Sequence, residues 1–108
     1  MSKQLTHGAD SLVATATITT GTGEEWMLNY YLQQFTGTEA GLEGVQLYGL
    51  RVDKSTPDGV LADRAETPPV TQNHSLAMEM ANAFANGQVT PLVLLEIADD
   101  WLQSKAAV

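Results

Sequence analysis

The chain is predicted to be α+β: an antiparallel β-meander of three to four strands, followed by an αα-hairpin packed on one sheet face. Three observations predict this. Apolar residues alternate with period two over residues 11–20 and 25–35. They recur at helical spacing over residues 76–87 and 94–102. Between those helical patterns, Asn86-Gly87 reads as a helix stop and Thr90-Pro91 as a helix start. Strands first and helices after is the order expected of an α+β chain.

Residues 1–10 are polar and expected to fray, with His7 solvated. In residues 11–20, Leu12, Ala14, Ala16 and Ile18 point one way and Val13, Thr15, Thr17 and Thr19 the other, which is a strand. Gly21-Thr22-Gly23 is the turn into a second strand over 25–35. There Trp26, Leu28, Tyr30 and Leu32 share a face, and Met27, Asn29, Tyr31 and Gln33 form the other. Residues 36–44 form a loop, and a third strand covers 45–54. Both faces of that strand are apolar, and Gly49 within it marks a bulge or a close backbone approach. In the turn at 55–59, Pro57 presets φ and Gly59 supplies a positive φ. A short edge strand over 59–65 ends before Pro68-Pro69.

Thr71 or Asn73 caps the first helix, whose inward face is Leu76, Met80, Ala83, Phe84 and Gly87. His74 in its first turn reads as a surface side chain. Gly87 is expected to end this helix in the left-handed conformation. The Thr90 hydroxyl and Pro91 start the second helix, with Val89 and Leu94 as a hydrophobic staple. Leu94, Ile97, Ala98, Trp101 and Leu102 make its dry face, and Glu96, Asp99, Asp100 and Gln103 its wet one.

A chain of 108 residues with 44% hydrophobic content fits one domain, residues 1–108, with a core of its own. The lack of cysteine excludes disulfides, thiolate zinc sites and thiol nucleophiles, and agrees with a cytoplasmic setting. No apolar run at the start suggests a signal peptide, and no window of about 18 apolar residues suggests a membrane span. The net charge is -8, and the five cations are Lys3, Arg51, Lys54, Arg64 and Lys105. None lies in the helical region before Lys105, so neither nucleic acid nor an anionic membrane is expected as a partner.

Motifs exclude more than they assign. The string starting at Asp53 has Pro57 at its fifth place and Arg64 at its twelfth, so it is no EF-hand loop. Gly21-x-Gly23 leads into a strand and cannot cradle phosphate at a helix start. Glu24 and Glu25 are strand neighbours that point apart. A helix-turn-helix reading fails because Glu96, Asp99 and Asp100 would repel the DNA backbone.

Tyr30-Tyr31, Tyr48-Gly49-Leu50, and Val89-Thr90-Pro91 with Leu94-Leu95 and Asp99-Asp100-Trp101-Leu102 are short motifs with a familiar look. Through them the chain, from about Trp26 to Leu102, resembles a small family of about a hundred residues from clostridial-type Gram-positive bacteria, known as a domain of unknown function. The resemblance implies a cytoplasmic bacterial protein and carries over no activity, cofactor or catalytic residue.

Three functional expectations follow. The first is a non-enzymatic cytosolic protein-interaction module whose surface includes Tyr31, Tyr48 and Asn29. The sheet face opposite the helices, with Thr15, Thr17, Asn29, Tyr31 and Met27, would pair with another protein or with itself as a homodimer. The second is a metal-dependent enzyme or metal-binding protein using Glu96, Asp99 and Asp100, whose carboxylates suit Mg²⁺ or Ca²⁺ or a basic peptide. The third is an acidic mimic of nucleic acid. No cofactor is expected.

Overall fold

The computed structural model describes residues 5–38, 41 and 43–106. Strands β1 (Leu5–Thr19), β2 (Glu25–Gly37), β3 (Gln46–Ser55) and β4 (Leu61–Glu66) form one antiparallel sheet in chain order. Helix α1 (His74–Asn86), a 3-10 turn (Pro91–Val93) and helix α2 (Leu94–Ala106) follow. Helix α1 lies across β1, β2 and β3, while α2 reaches β4 at the rim. The α+β meander with an αα-hairpin on one face is therefore the observed architecture.

The core lies between sheet and helices. Leu28, Tyr30 and Leu32 of β2 and Leu50 and Val52 of β3 meet Ala77, Met80, Ala81 and Phe84 of α1 and Leu94 and Ala98 of α2. Each large side chain buried this way contributes about 1.5–3 kcal/mol. On α1 the inward line is Ala77-Ala81-Ala85 with Met80 and Phe84, while the expected Leu76 and Ala83 are half-buried and Gly87 is exposed. Small residues at i, i+4 and i+8 let the helix backbone approach the sheet closely. Trp101 packs edge-on against Phe84, with ring centroids 6.2 Å apart, and Lys105 pairs with Glu79 at 2.6 Å to join the two helices.

Strand β1 begins at Leu5, so this segment joins the sheet rather than frays, with Leu5 opposite Gly37, His7 opposite Phe35 and Asp10 opposite Gln33. Its register shifts twice, between His7 and Asp10 and between Leu12 and Ala14. The second shift inserts an extra residue and reverses the alternation beyond it. Val13 consequently packs on the core beside Ala14, Ala16 and Ile18, and Leu12, expected inside, is 56% exposed.

The turn at Thr56 to Val60 closes as expected, with Gly59 at φ 94 and its N–H bonded to the Thr56 carbonyl at 2.9 Å. After β4 the chain stays beside β3. The Thr67 N–H donates to the Leu50 carbonyl and, beyond Pro68-Pro69, the Val70 N–H donates to the Tyr48 carbonyl, both at 2.8 Å. Gly49 is not bulged; it is where this segment crosses closest. A Cβ there would lie 2.9 Å from the Pro68 carbonyl oxygen and 3.0 Å from Thr67 Oγ1. Gly49→Ala is therefore expected to cost about 1–3 kcal/mol by overpacking against backbone. Urea unfolding checks this, and wild-type stability would mean the approach is looser.

Asn73, not Thr71, caps α1, its side chain accepting from the Leu76 N–H at 3.0 Å. Gly87 ends α1 at φ -87, and the left-handed residue is Gln88 at φ 54. Gln88 is held there by its side-chain amide, which donates to the Thr17 carbonyl at 2.9 Å. The Thr90 side chain makes no cap bond; the Val93 N–H turns back to the Thr90 carbonyl at 3.2 Å, tightening the start into the 3-10 turn. Ile97 is 36% exposed because α2 sits at the rim, where the line Leu94-Ala98-Trp101 meets the core.

Buried Tyr30 spans from sheet to helical turn, its hydroxyl donating to the Val89 carbonyl at 2.8 Å. Burial raises its pKa from 10.0 to about 12. The fold thus retains the phenol proton, so the stability it gives is intact below pH 10 and is lost as pH climbs from 10 towards 12. Alkaline melts should show that loss, and Tyr30→Phe should remove this component of the pH dependence.

Candidate functional site

Strand register decides what each sheet face presents. On the face away from the helices, Leu12 lies opposite Tyr31, Thr15 opposite Asn29, and Thr17 opposite Met27. Thr15, Thr17, Asn29, Tyr31 and Met27 thus share the open face, as their alternation predicts. Across β3 the same face continues into Arg51, opposite Tyr31, and Asp53, opposite Asn29. On β4 it ends in Arg64, opposite Asp53, and Glu66, opposite Arg51.

These side chains pair among themselves. The Arg51 guanidinium stacks on the Tyr31 ring at 3.9 Å and forms an ion pair with Asp10. Asp53, 6% exposed, accepts from Arg64 Nε at 2.7 Å and Nη2 at 3.0 Å, with Arg51 Nε at 3.2 Å. The hydrogen bond to the Asp53 carboxylate pushes the Arg64 pKa above its ordinary value. Gln33, 1% exposed, donates to Glu66 at 2.5 Å. His7 bonds Asp10 at 2.6 Å and stacks on Phe35 at 5.0 Å. The open face is covered by its own long side chains, and its cations already have carboxylate or aromatic partners.

Tyr48 does not join Tyr31. It lies on the helix side, half-buried, with the exposed His74 ring edge-on at 5.2 Å and Thr71 as its bridge partner. Glu96, Asp99 and Asp100 are all exposed on α2, and Asp99 accepts from the Gln103 amide at 3.0 Å. Among the described residues no group of three or more His, Asp or Glu side chains is gathered so as to hold a metal ion.

A concave feature lies beside α2. Two hollows, of about 510 and 330 Å³, share Val70 and Leu102 and form one cleft between α2, the start of α1 and residues 67–71. Leu76 and Lys105 line one part; Pro68, Leu95, Ala98 and Asp99 line the other. On α2, Leu95, Ala98, Asp99 and Leu102 stand at i, i+3, i+4 and i+7, a single helical face turned to the cleft. Leu95 is 56% exposed, and Leu92 in the preceding turn is 88% exposed. In the opposite wall every N–H is bonded inward or missing: Thr67, Val70 and Thr71 donate to β3, and Pro68 and Pro69 have none.

The fold and this surface define an α+β meander with a helical hairpin on one face and an apolar cleft along its last helix. Residues 10–104 match a family of unknown function, DUF6514, and the chain belongs to it. No characterised protein and no solved structure gives a match. Among the described residues no helix is long and apolar enough to cross a membrane.

Neither the charged face nor the cleft was apparent from composition. Arg51, Asp53 and Arg64 become neighbours only when the Pro57-Asp58-Gly59 turn sets the β3–β4 register. The cleft had a sequence signal, since Leu95 lies outside the stripe that the helix buries against the core.

Proposed function

We propose that the chain is a non-enzymatic protein-interaction module that docks a partner protein in the cleft beside α2. The supporting observation is the exposure of Leu95 at the mouth of an apolar cleft, on a chain of net charge -8. Open apolar concavities of this kind mark interaction sites more often than scattered surface leucines do. Its proposed setting is the cytosol of a clostridial-type bacterium, as the resemblance of Tyr48-Gly49-Leu50 and Val89-Thr90-Pro91 implies, and a cysteine-free composition suits it.

A photo-crosslinking residue at Leu95 is expected to give a discrete protein adduct in cells, and one at Thr22, in the exposed β1–β2 turn, none. Equal labelling at both positions, or none at Leu95, would overturn the reading.

A further inference from the structure

We propose that the occupant of this cleft is a helical segment of another protein, apolar along one side and rich in Lys and Arg along its flanks. This rests on reading the cleft as a docking site, and the juxtaposition that carries it is an apolar floor beside the acidic stripe of α2. The walls exclude an added strand. Residues 67–71 offer no free N–H, since Thr67, Val70 and Thr71 donate to β3 and Pro68-Pro69 have none. The other wall is α2, whose backbone is bonded within the helix. A strand would leave its own donors and acceptors without a ladder, whereas a helix brings a satisfied backbone and contributes side chains alone. The stretch from Leu95 to Lys105 is roughly 15 Å long, enough for about three turns of a partner helix.

Charge selects the partner. Asp99 forms part of the cleft and Glu96 stands exposed on the same flank of α2, whereas Asp100, about 100° further round the helix than Asp99, faces away from it. Lys105, the cation at the far end, is already paired with Glu79 at 2.6 Å and lies over the Trp101 ring at 5.1 Å. A second copy is a poor occupant, because it would bring a net charge of -8 and the same acidic stripe against this one.

Three peptides of about 18 residues, roughly five helical turns, test this against the full chain with methyl-labelled leucine. One has a leucine stripe flanked by Lys and Arg, the second carries Glu in place of the cations, and the third is the basic peptide broken by a central Pro. The basic helix is expected to shift the methyls of Leu76, Leu95 and Leu102, and to bind at least tenfold tighter than either control. Leu95→Asp should weaken it at least tenfold, and Asp99→Lys should narrow the gap between the basic and acidic peptides. Leu95 is exposed, so Leu95→Asp should leave the melting curve unchanged; Leu95→Ser serves if it does not. If the acidic or broken peptide binds as well at the same methyls, the basic helix is wrong while the docking cleft stands. If no peptide moves those methyls, or the basic one moves only the sheet, both fall. A concentration-dependent dimer that Leu95→Asp dissolves would make a second copy the occupant and overturn the proposal.

Discussion

Phe84→Ala is expected to destabilise the protein by about 3–5 kcal/mol, the usual range for truncating a buried aromatic side chain. Phe84 is 2% exposed, sits on the inward line of α1 and takes the edge of Trp101 from α2. Its loss leaves a hole that the alanines around it are too short to fill, and it removes the ring contact holding the second helix to the first. A domain of this size has only about 5–15 kcal/mol in hand, so the variant should unfold at much lower urea. Trp101 fluorescence and the urea midpoint together check it. A cost below about 1 kcal/mol would mean that α1 does not lie with this face to the sheet.

Asp53→Ala is expected to cost about 2–3 kcal/mol, less than the 3–5 typical of breaking a fully buried pair. Asp53 is nearly enclosed and receives two hydrogen bonds from Arg64 while facing Arg51 Nε at 3.2 Å. The discount follows from exposure: the Arg64 side chain is 46% exposed and can turn to water, whereas Arg51 is 16% exposed and cannot do so fully. The double variant Asp53→Val, Arg64→Val should recover much of the loss, because cross-strand β-branched pairs pack well on a pleated face. A double-mutant cycle reads the coupling, and a value near zero would show that the pair contributes nothing.

The elements were largely legible from the residues. Alternation in β2 placed Leu28, Tyr30 and Leu32 inside, and Met80 and Phe84 marked the buried side of α1. Gly49 signalled a bulge or a close approach, because a small residue inside an otherwise apolar strand needs a reason, and the structure shows the second, against the Pro68 carbonyl. What escaped depends on three-dimensional neighbours. The extra residue near Leu12 leaves the pattern of Leu12, Ala14, Ala16 and Ile18 superficially perfect, yet it turns Leu12 outward. Gly87 carried the conventional signal for a left-handed helix end, but the Gln88 amide reaching Thr17 moved that conformation one residue on. Tyr31 and Tyr48 looked alike as aromatic surface residues, and the register put them on opposite sides of the sheet. The acidic stripe Glu96, Asp99 and Asp100 was visible, but the cleft beside it needs residues 67–71 as a second wall.

The two dislocations in β1 carry a consequence for how copies of this chain behave when crowded. A fifteen-residue outer strand would ordinarily offer a neighbouring molecule a long zipper of free peptide groups. Broken after His7 and again after Leu12, it offers only short straight runs, and no two consecutive runs lie in one register. The other margin of the sheet is six residues long, carries Asp63, Arg64 and Glu66, and gives way to a proline pair. Growth of an endless ribbon by stacking sheet margin to sheet margin therefore finds no template on either side.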